Sequence, residues 1–142
     1  MDDVSRSSDY ICFKLGKVFR NVQRYYENHL LKFGLTPVQF FVINTLSKRD
    51  GMKFKDLANS LAIEGPTLTG LLDRMERSGF LERRGDPEDR RSVLVYLTDK
   101  GRQVGPEVSK MAQSLDQNLR IQFSPDEFDL FLKILDRVVV PE

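Results

Sequence analysis

The chain has 142 residues, one cysteine, one histidine and a net charge of +1. That length suits one domain with enough core to fold unaided. The single Cys and His exclude an internal disulfide, a multi-cysteine metal centre and most histidine-based acid–base chemistry. No apolar run approaches a membrane span, and Met1-Asp2-Asp3 lacks the basic, apolar start of a secretory leader, so a soluble cytoplasmic protein is expected.

From residue 8 to residue 33, Ile11, Leu15, Val18, Phe19, Val22, Tyr26, Leu30 and Phe33 recur at helical spacing, and Gly34 is a stop signal. Phe13, Tyr25 and Leu31 broaden the apolar surface, which fits either a core helix or one that also packs on a second chain. Leu35-Thr36-Pro37-Val38-Gln39-Phe40 is a helix start. Thr36 caps, Pro37 takes the first turn, Gln39 returns the capping bond, and Leu35 and Phe40 hold the staple positions. This helix continues through Leu46 and ends before the Asp50-Gly51 turn, with room for a small strand at Met52-Lys53.

Phe54, Leu57, Ala58 and Leu61 stripe the next, shorter helix, and Ala62–Gly65 forms a turn. Leu68, Leu71, Leu72 and Met75 then line one face of a further helix, which Pro66 opens at its first position and Gly79 closes. Two short helices across such a turn match helix-turn-helix spacing. Leu81–Arg84, the charged turn Gly85–Arg91 and Val93–Leu97 predict a hairpin. Thr98-Asp99-Lys100-Gly101 caps a helix carrying Val104, Val108, Met111, Leu115 and Leu119, whose first turns Gly105-Pro106 should delay or kink. Ser124-Pro125-Asp126-Glu127 is a capping box with Phe123 and Phe128 as its staple. It opens a last helix bearing Phe128, Phe131, Leu132, Leu135 and Val138.

The order α-α-α-α-β-β-α-α predicts a mainly α fold: one domain, 1–142, with a winged helix-turn-helix lobe at 36–98. The flanking helices, 8–34 and 99–140, need apolar partners and are assigned to dimerisation. A dimer would set two recognition helices about 34 Å apart, as a palindromic double-stranded DNA site requires.

The expected DNA-binding residues are Gly65, Pro66, Thr67, Thr69, Gly70, Asp73, Arg74, Arg77, Arg90 and Arg91. The start of the helix at Pro66 aims N–H groups and positive dipole at phosphate. Thr67 and Thr69 can touch base edges, Gly65 and Gly70 permit close approach, and Arg74 and Arg77 suit phosphate or guanine. Arg90 and Arg91 at the hairpin tip can enter a narrow minor groove, with Asp86, Glu88 and Asp89 holding a guanidinium in place. Charge alone would not suggest DNA: residues 103–142 hold 4 basic and 7 acidic side chains, and the remainder 18 and 14, a mild excess. No nucleophile–base pair, metal cluster or phosphate-cradling glycine loop is visible, so neither catalytic residues nor a metal or cofactor is expected. A winged-helix module that binds protein is the alternative from another class.

The runs Leu35-Thr36-Pro37-Val38-Gln39, Asp56-Leu57-Ala58, Gly65-Pro66-Thr67-Leu68-Thr69, Leu72-Asp73-Arg74-Met75-Glu76, Gly79-Phe80-Leu81-Glu82-Arg83, Asp86-Pro87-Glu88-Asp89-Arg90-Arg91 and Leu97-Thr98-Asp99-Lys100-Gly101 resemble the MarR family of bacterial transcription regulators. Their order and spacing match the family over nearly the whole chain. The resemblance implies an obligate homodimer with first and last helices entwined, acting as a repressor on a pseudo-palindromic operator. It places the minor-groove arginine at Arg91 and a wing-pairing aspartate at Asp73. It also implies a small aromatic effector in a crevice between the dimerisation and DNA lobes. Phe13, Phe19, Tyr25, Tyr26, Phe33, Phe40 and Phe41 supply aromatics, each expected in the core, so the ligand-binding residues are unknown. Some relatives carry arginine where this chain has Gly70, so operator sequence does not transfer. Cys12 falls where a peroxide-sensing branch keeps its reactive thiol, ahead of Tyr26, but Gly16 and Pro37 replace two tyrosines of that branch. A buried or inert thiol, the usual small core hydrophobe, is the expectation and redox sensing the alternative.

Overall fold

The computed structural model describes residues 6–142, so the reading of Met1-Asp2-Asp3 lies outside the described residues. Contacts divide the chain into two compact units, one through Ser109 and one from Lys110 to Glu142. In the first unit, α1 spans Ile11–Leu30, with short 3₁₀ turns at Ser7–Asp9 and Leu31–Phe33. The single helix expected over 8–33 is thus tightened at both ends. Arg6 and Asp9 bond reciprocally across the first turn (3.2 and 2.8 Å). Gly34, in the left-handed region at φ 70°, donates to the Leu31 carbonyl and draws in the last turn.

Thr36 and Gln39 form the reciprocal capping box that starts α2, Pro37–Lys48. Its inner face, Phe40, Val42, Ile43 and Leu46, is buried, as is Leu35 before it. Asp50-Gly51 then turns the chain, with Gly51 at φ 68° and the Tyr96 ring lying where a side chain would project. β1 (Met52–Lys53) runs into α3 (Phe54–Leu61), which closes on Ala62 in a left-handed conformation. α4 follows over Gly65–Arg77, then β2 (Leu81–Gly85) and β3 (Val93–Leu97).

The sheet is antiparallel in the order β1-β3-β2, with Met52 opposite Val95, Leu81 opposite Leu97 and Gly85 opposite Val93. Met52, Leu81, Val95 and Leu97 are buried, and with the inner residues of α2, Leu57 of α3, and Leu68, Leu71, Leu72 and Met75 of α4 they make the core. α1 contributes only Leu30 to it; Ile11, Leu15, Val18 and Phe19 remain exposed. α5 spans Asp99–Arg120, and Pro106 does not delay it. Thr98 nucleates the first turn ahead of the proline: its hydroxyl accepts from Gly101 and its carbonyl from Arg102 (3.2 and 2.9 Å).

In the second unit, Ala112 and Leu115 on α5 are buried. α6, Pro125–Arg137, opens on the Ser124–Glu127 capping box. Phe128 packs against Phe123 and Phe131, with the Arg120 guanidinium 4.7 Å from its ring centre. Leu130, Phe131, Ile134 and Leu135 stay exposed. Val138, expected on this stripe, is instead an extended C-cap: three β-branched valines before Pro141 disfavour another helical turn. No helix among the described residues is long and apolar enough to cross a membrane.

Candidate nucleic-acid interface

The geometry of α4 follows from its two faces. The inner leucines and Met75 fix the helix in the core, so its outer side chains are free of packing duty. Gly65 is the first helical residue and Pro66 the second, one place later than expected. Proline costs nothing there either, because the first-turn N–H groups have no intrahelical acceptor. Glu64 precedes them as N-cap without a side-chain bond.

Pro66, Thr67, Thr69, Arg74 and Arg77 are exposed, and Gly65, Gly70 and Asp73 half-buried. Thr69 donates its hydroxyl to the Gly65 carbonyl (3.1 Å) and Arg77 its Nε–H to the Asp73 carbonyl (3.3 Å). The Arg74 guanidinium has no hydrogen-bond or ion-pair partner among the described residues. Asp73 is engaged: its Oδ1 lies 2.6 Å from Arg83 Nη2 on β2.

Arg83 and Glu76 are functional candidates that the sequence reading left unmarked. Glu76 accepts the Arg83 backbone N–H (3.0 Å) and two guanidinium bonds (3.2 and 2.7 Å). With Asp73 they fasten α4 to the base of the wing. The Arg83 hydrogen bonds hold the Glu76 carboxyl below the usual carboxylate range, and the same bond to Glu76 pushes the Arg83 guanidinium up. The signal was strand alternation: Arg83 pairs with buried Val95 and shares the inward face with Leu81, where a charge demands partners.

The wing tip runs from Asp86 to Ser92 and is closed by backbone bonds from Asp86 to Ser92, from Asp89 to Asp86 and from Ser92 to Asp89. The expectation that its acids grip a guanidinium is corrected here. Asp86 accepts the Glu88 backbone N–H and Asp89 that of Arg91 (2.9 and 3.0 Å). Short aspartates bond the backbone two residues on more readily than they reach a side chain. The acids thus shape the turn, and the exposed Arg90 and Arg91 side chains are unpaired among the described residues.

Two further contacts set the far end of α4. Lys100 Nζ donates to the Ser78 carbonyl (2.7 Å) and sits 4.4 Å from the Phe80 ring centre; Thr98 Oγ1 donates to the Gly79 carbonyl (2.5 Å). Gly101 nestles against the Phe80 carbonyl, where any side chain would collide. Nearby, Asp50 accepts from Leu97 N and Arg102 (2.9 and 3.1 Å). Beside it lies an open recess of about 470 Å³, lined by Leu46, Lys48, Leu97, Arg102, Pro106 and other residues of α2 and α5. None of the seven aromatics expected in the core lines it, and that expectation holds for Phe40 alone: Phe13, Phe19 and Phe41 are exposed, and Tyr25, Tyr26 and Phe33 half-buried. Cys12 is exposed. No group of three or more metal-ligating side chains occurs among the described residues.

The MarR family model matches residues 35–93. Over 140 residues, 98% of this chain and 94% of the relative, the sequence is 31% identical to the HTH-type transcriptional regulator MgrA of Staphylococcus aureus. The transcriptional repressor CouR, solved bound to a 23-mer DNA duplex, superposes with a TM-score of 0.81 at 27% identity, covering 95% of this chain and 97% of CouR. Reduced AbfR bound to DNA matches with a TM-score of 0.68 at 29% identity, covering 90% and 93%. The chain belongs to the MarR family of winged-helix transcription regulators.

Proposed function

We propose that this regulator is a homodimeric, sequence-specific repressor that binds a pseudo-palindromic DNA operator and is released by a small aromatic ligand. The observation that carries the DNA reading is the outer surface of α4, free of packing duty, clasped to a wing whose two tip arginines are unpaired. In this reading residues 36–98 form the DNA lobe. Gly65, Pro66, Thr67, Thr69, Gly70, Arg74 and Arg77 face the major groove, Asp73 steadies the wing through Arg83, and Arg90 and Arg91 enter the minor groove. That CouR and AbfR were solved on DNA supports DNA as the partner.

Residues 8–34 and 99–140 are assigned to dimerisation. Exposed apolar side chains on α1 and α6, among them Ile11 at 75% and Ile134 at 50%, support a partner for each. The recess beside α2 and α5 supports the effector reading: Leu46, Leu97 and Pro106 offer apolar walls, and Lys48 offers a cation for a carboxylate, while Arg102 is paired with Asp50 and Asp99.

Binding of the purified protein to its own upstream DNA across a salt series tests this. Sequence-selective binding that falls steeply with salt, and that salicylate-like aromatics relieve, is the expected result. Weak, salt-insensitive association would favour the protein-interaction module instead. A second reading, peroxide sensing, rests on the exposed Cys12 thiol. Hydroperoxide then releases DNA from the native protein and not from Cys12→Ser; equal response of both would remove it.

A further inference from the structure

The two arginines on the outer face of α4 are held differently. Gly70 lies on the outer face, near the centre of the side opposite buried Leu68, Leu71, Leu72 and Met75, whereas Arg74 rises from the flank away from Asp73 and the wing. Helical side chains lean toward the N-terminus, and Arg74 does so: its Nη1 lies 3.9 Å from where a Cβ on Gly70 would stand. The guanidinium therefore rests over bare backbone, carried from the flank to the middle of the face, with none of its donors spent within the described residues. Arg77, the last helical residue, has already given its Nε–H to the Asp73 carbonyl.

We infer that Gly70 and Arg74 form one reading unit. The missing side chain at Gly70 lets Arg74 lay its planar fork on a guanine, through O6 and N7, in the major groove, and Arg77 serves phosphate. The inference rests on the reading of α4 as the recognition helix. Three physical points favour it. Base edges are met by the N-terminal half of such a helix, where Gly70 lies. The planar fork matches the paired acceptors O6 and N7 that guanine presents in the major groove. A side chain at position 70 would occupy the centre of the face and return Arg74 to the flank, where phosphates pass. Gly70 is thereby a specificity-determining residue that itself contacts nothing.

The test is selection of bound duplexes from a randomised pool by the native protein, Arg74→Ala, Gly70→Gln, Gly70→Ala and Arg77→Ala, each first confirmed folded by circular dichroism. The native protein should select a guanine in each half-site by roughly tenfold or more over adenine, the range of a bidentate arginine contact. Arg74→Ala and Gly70→Gln should lose that preference at the same position. Gly70→Ala, whose methyl makes only an ordinary contact, should keep it, and Arg77→Ala should weaken all sequences alike. Retention of the guanine by both Arg74→Ala and Gly70→Gln, or its loss in Arg77→Ala, would overturn the inference while leaving the recognition helix intact. Absence of any selected motif for the native protein would overturn the recognition-helix reading itself.

Discussion

Arg91 reaches the hairpin tip on a turn that Asp89 holds by accepting its backbone N–H. The side chain is then presented without a competing carboxylate, which suits a narrow groove of strong negative potential. Arg91→Ala should weaken operator binding by ~1–3 kcal/mol, read by fluorescence anisotropy on a selected site. Gly101 has the opposite kind of importance. A methyl there meets the Phe80 carbonyl and, at 3.1 Å, Leu97 Cδ2. Backbone cannot yield as a flexible side chain would, so Gly101→Ala should cost ~1–3 kcal/mol or more of stability, seen as a lowered melting temperature.

Between elements, the decisive link is α4 to β2 through Glu76, Arg83 and Asp73. Its pH dependence follows from the depressed Glu76 carboxyl. The stabilisation is present above the ordinary glutamate range and is lost as pH falls through the lower, folded value. Glu76→Gln should therefore lower stability near neutrality by about 1 kcal/mol or less, since the pair is partly exposed. The deficit should shrink in acid, as paired denaturant titrations at neutral and acid pH would register. Equal deficits at both would remove the ionic part of the clasp. This link also shows what the sequence could and could not disclose. The capping boxes at Thr36 and Ser124 and the left-handed glycines are local, encoded within a few residues, and were legible. The Arg83 cluster depends on which strand face meets which helix, and the duties of Asp86 and Asp89 on turn geometry. Neither is written in residue spacing alone. The valines after Arg137 are a different miss: apolar periodicity continued, but β-branching and Pro141 overruled it.

For the molecule as a whole, the apolar faces of α1 and α6 carry the dimer proposal. Ile134→Glu puts a charge into the α6 face, where burial against a second chain would be costly. It should give a monomer in sedimentation velocity and reduce operator affinity by ~10²-fold or more, because two half-sites are no longer engaged together. A dimer of unchanged affinity would assign that face elsewhere. The family match at 35–93 and the match to MgrA over 98% of the chain place the regulator class beyond its DNA lobe alone.

The division of α4 into an inner face that builds the core and an outer face that supports almost nothing has an evolutionary consequence. Substitutions at Pro66, Thr67, Gly70 or Arg74 leave the leucine row and the Glu76–Arg83 clasp untouched. On the proposed reading of α4 as the recognition helix, a duplicated gene could drift to a new operator through these few positions while keeping its fold. Paralogous circuits could thus become insulated from one another without any ancestor passing through an unfolded intermediate.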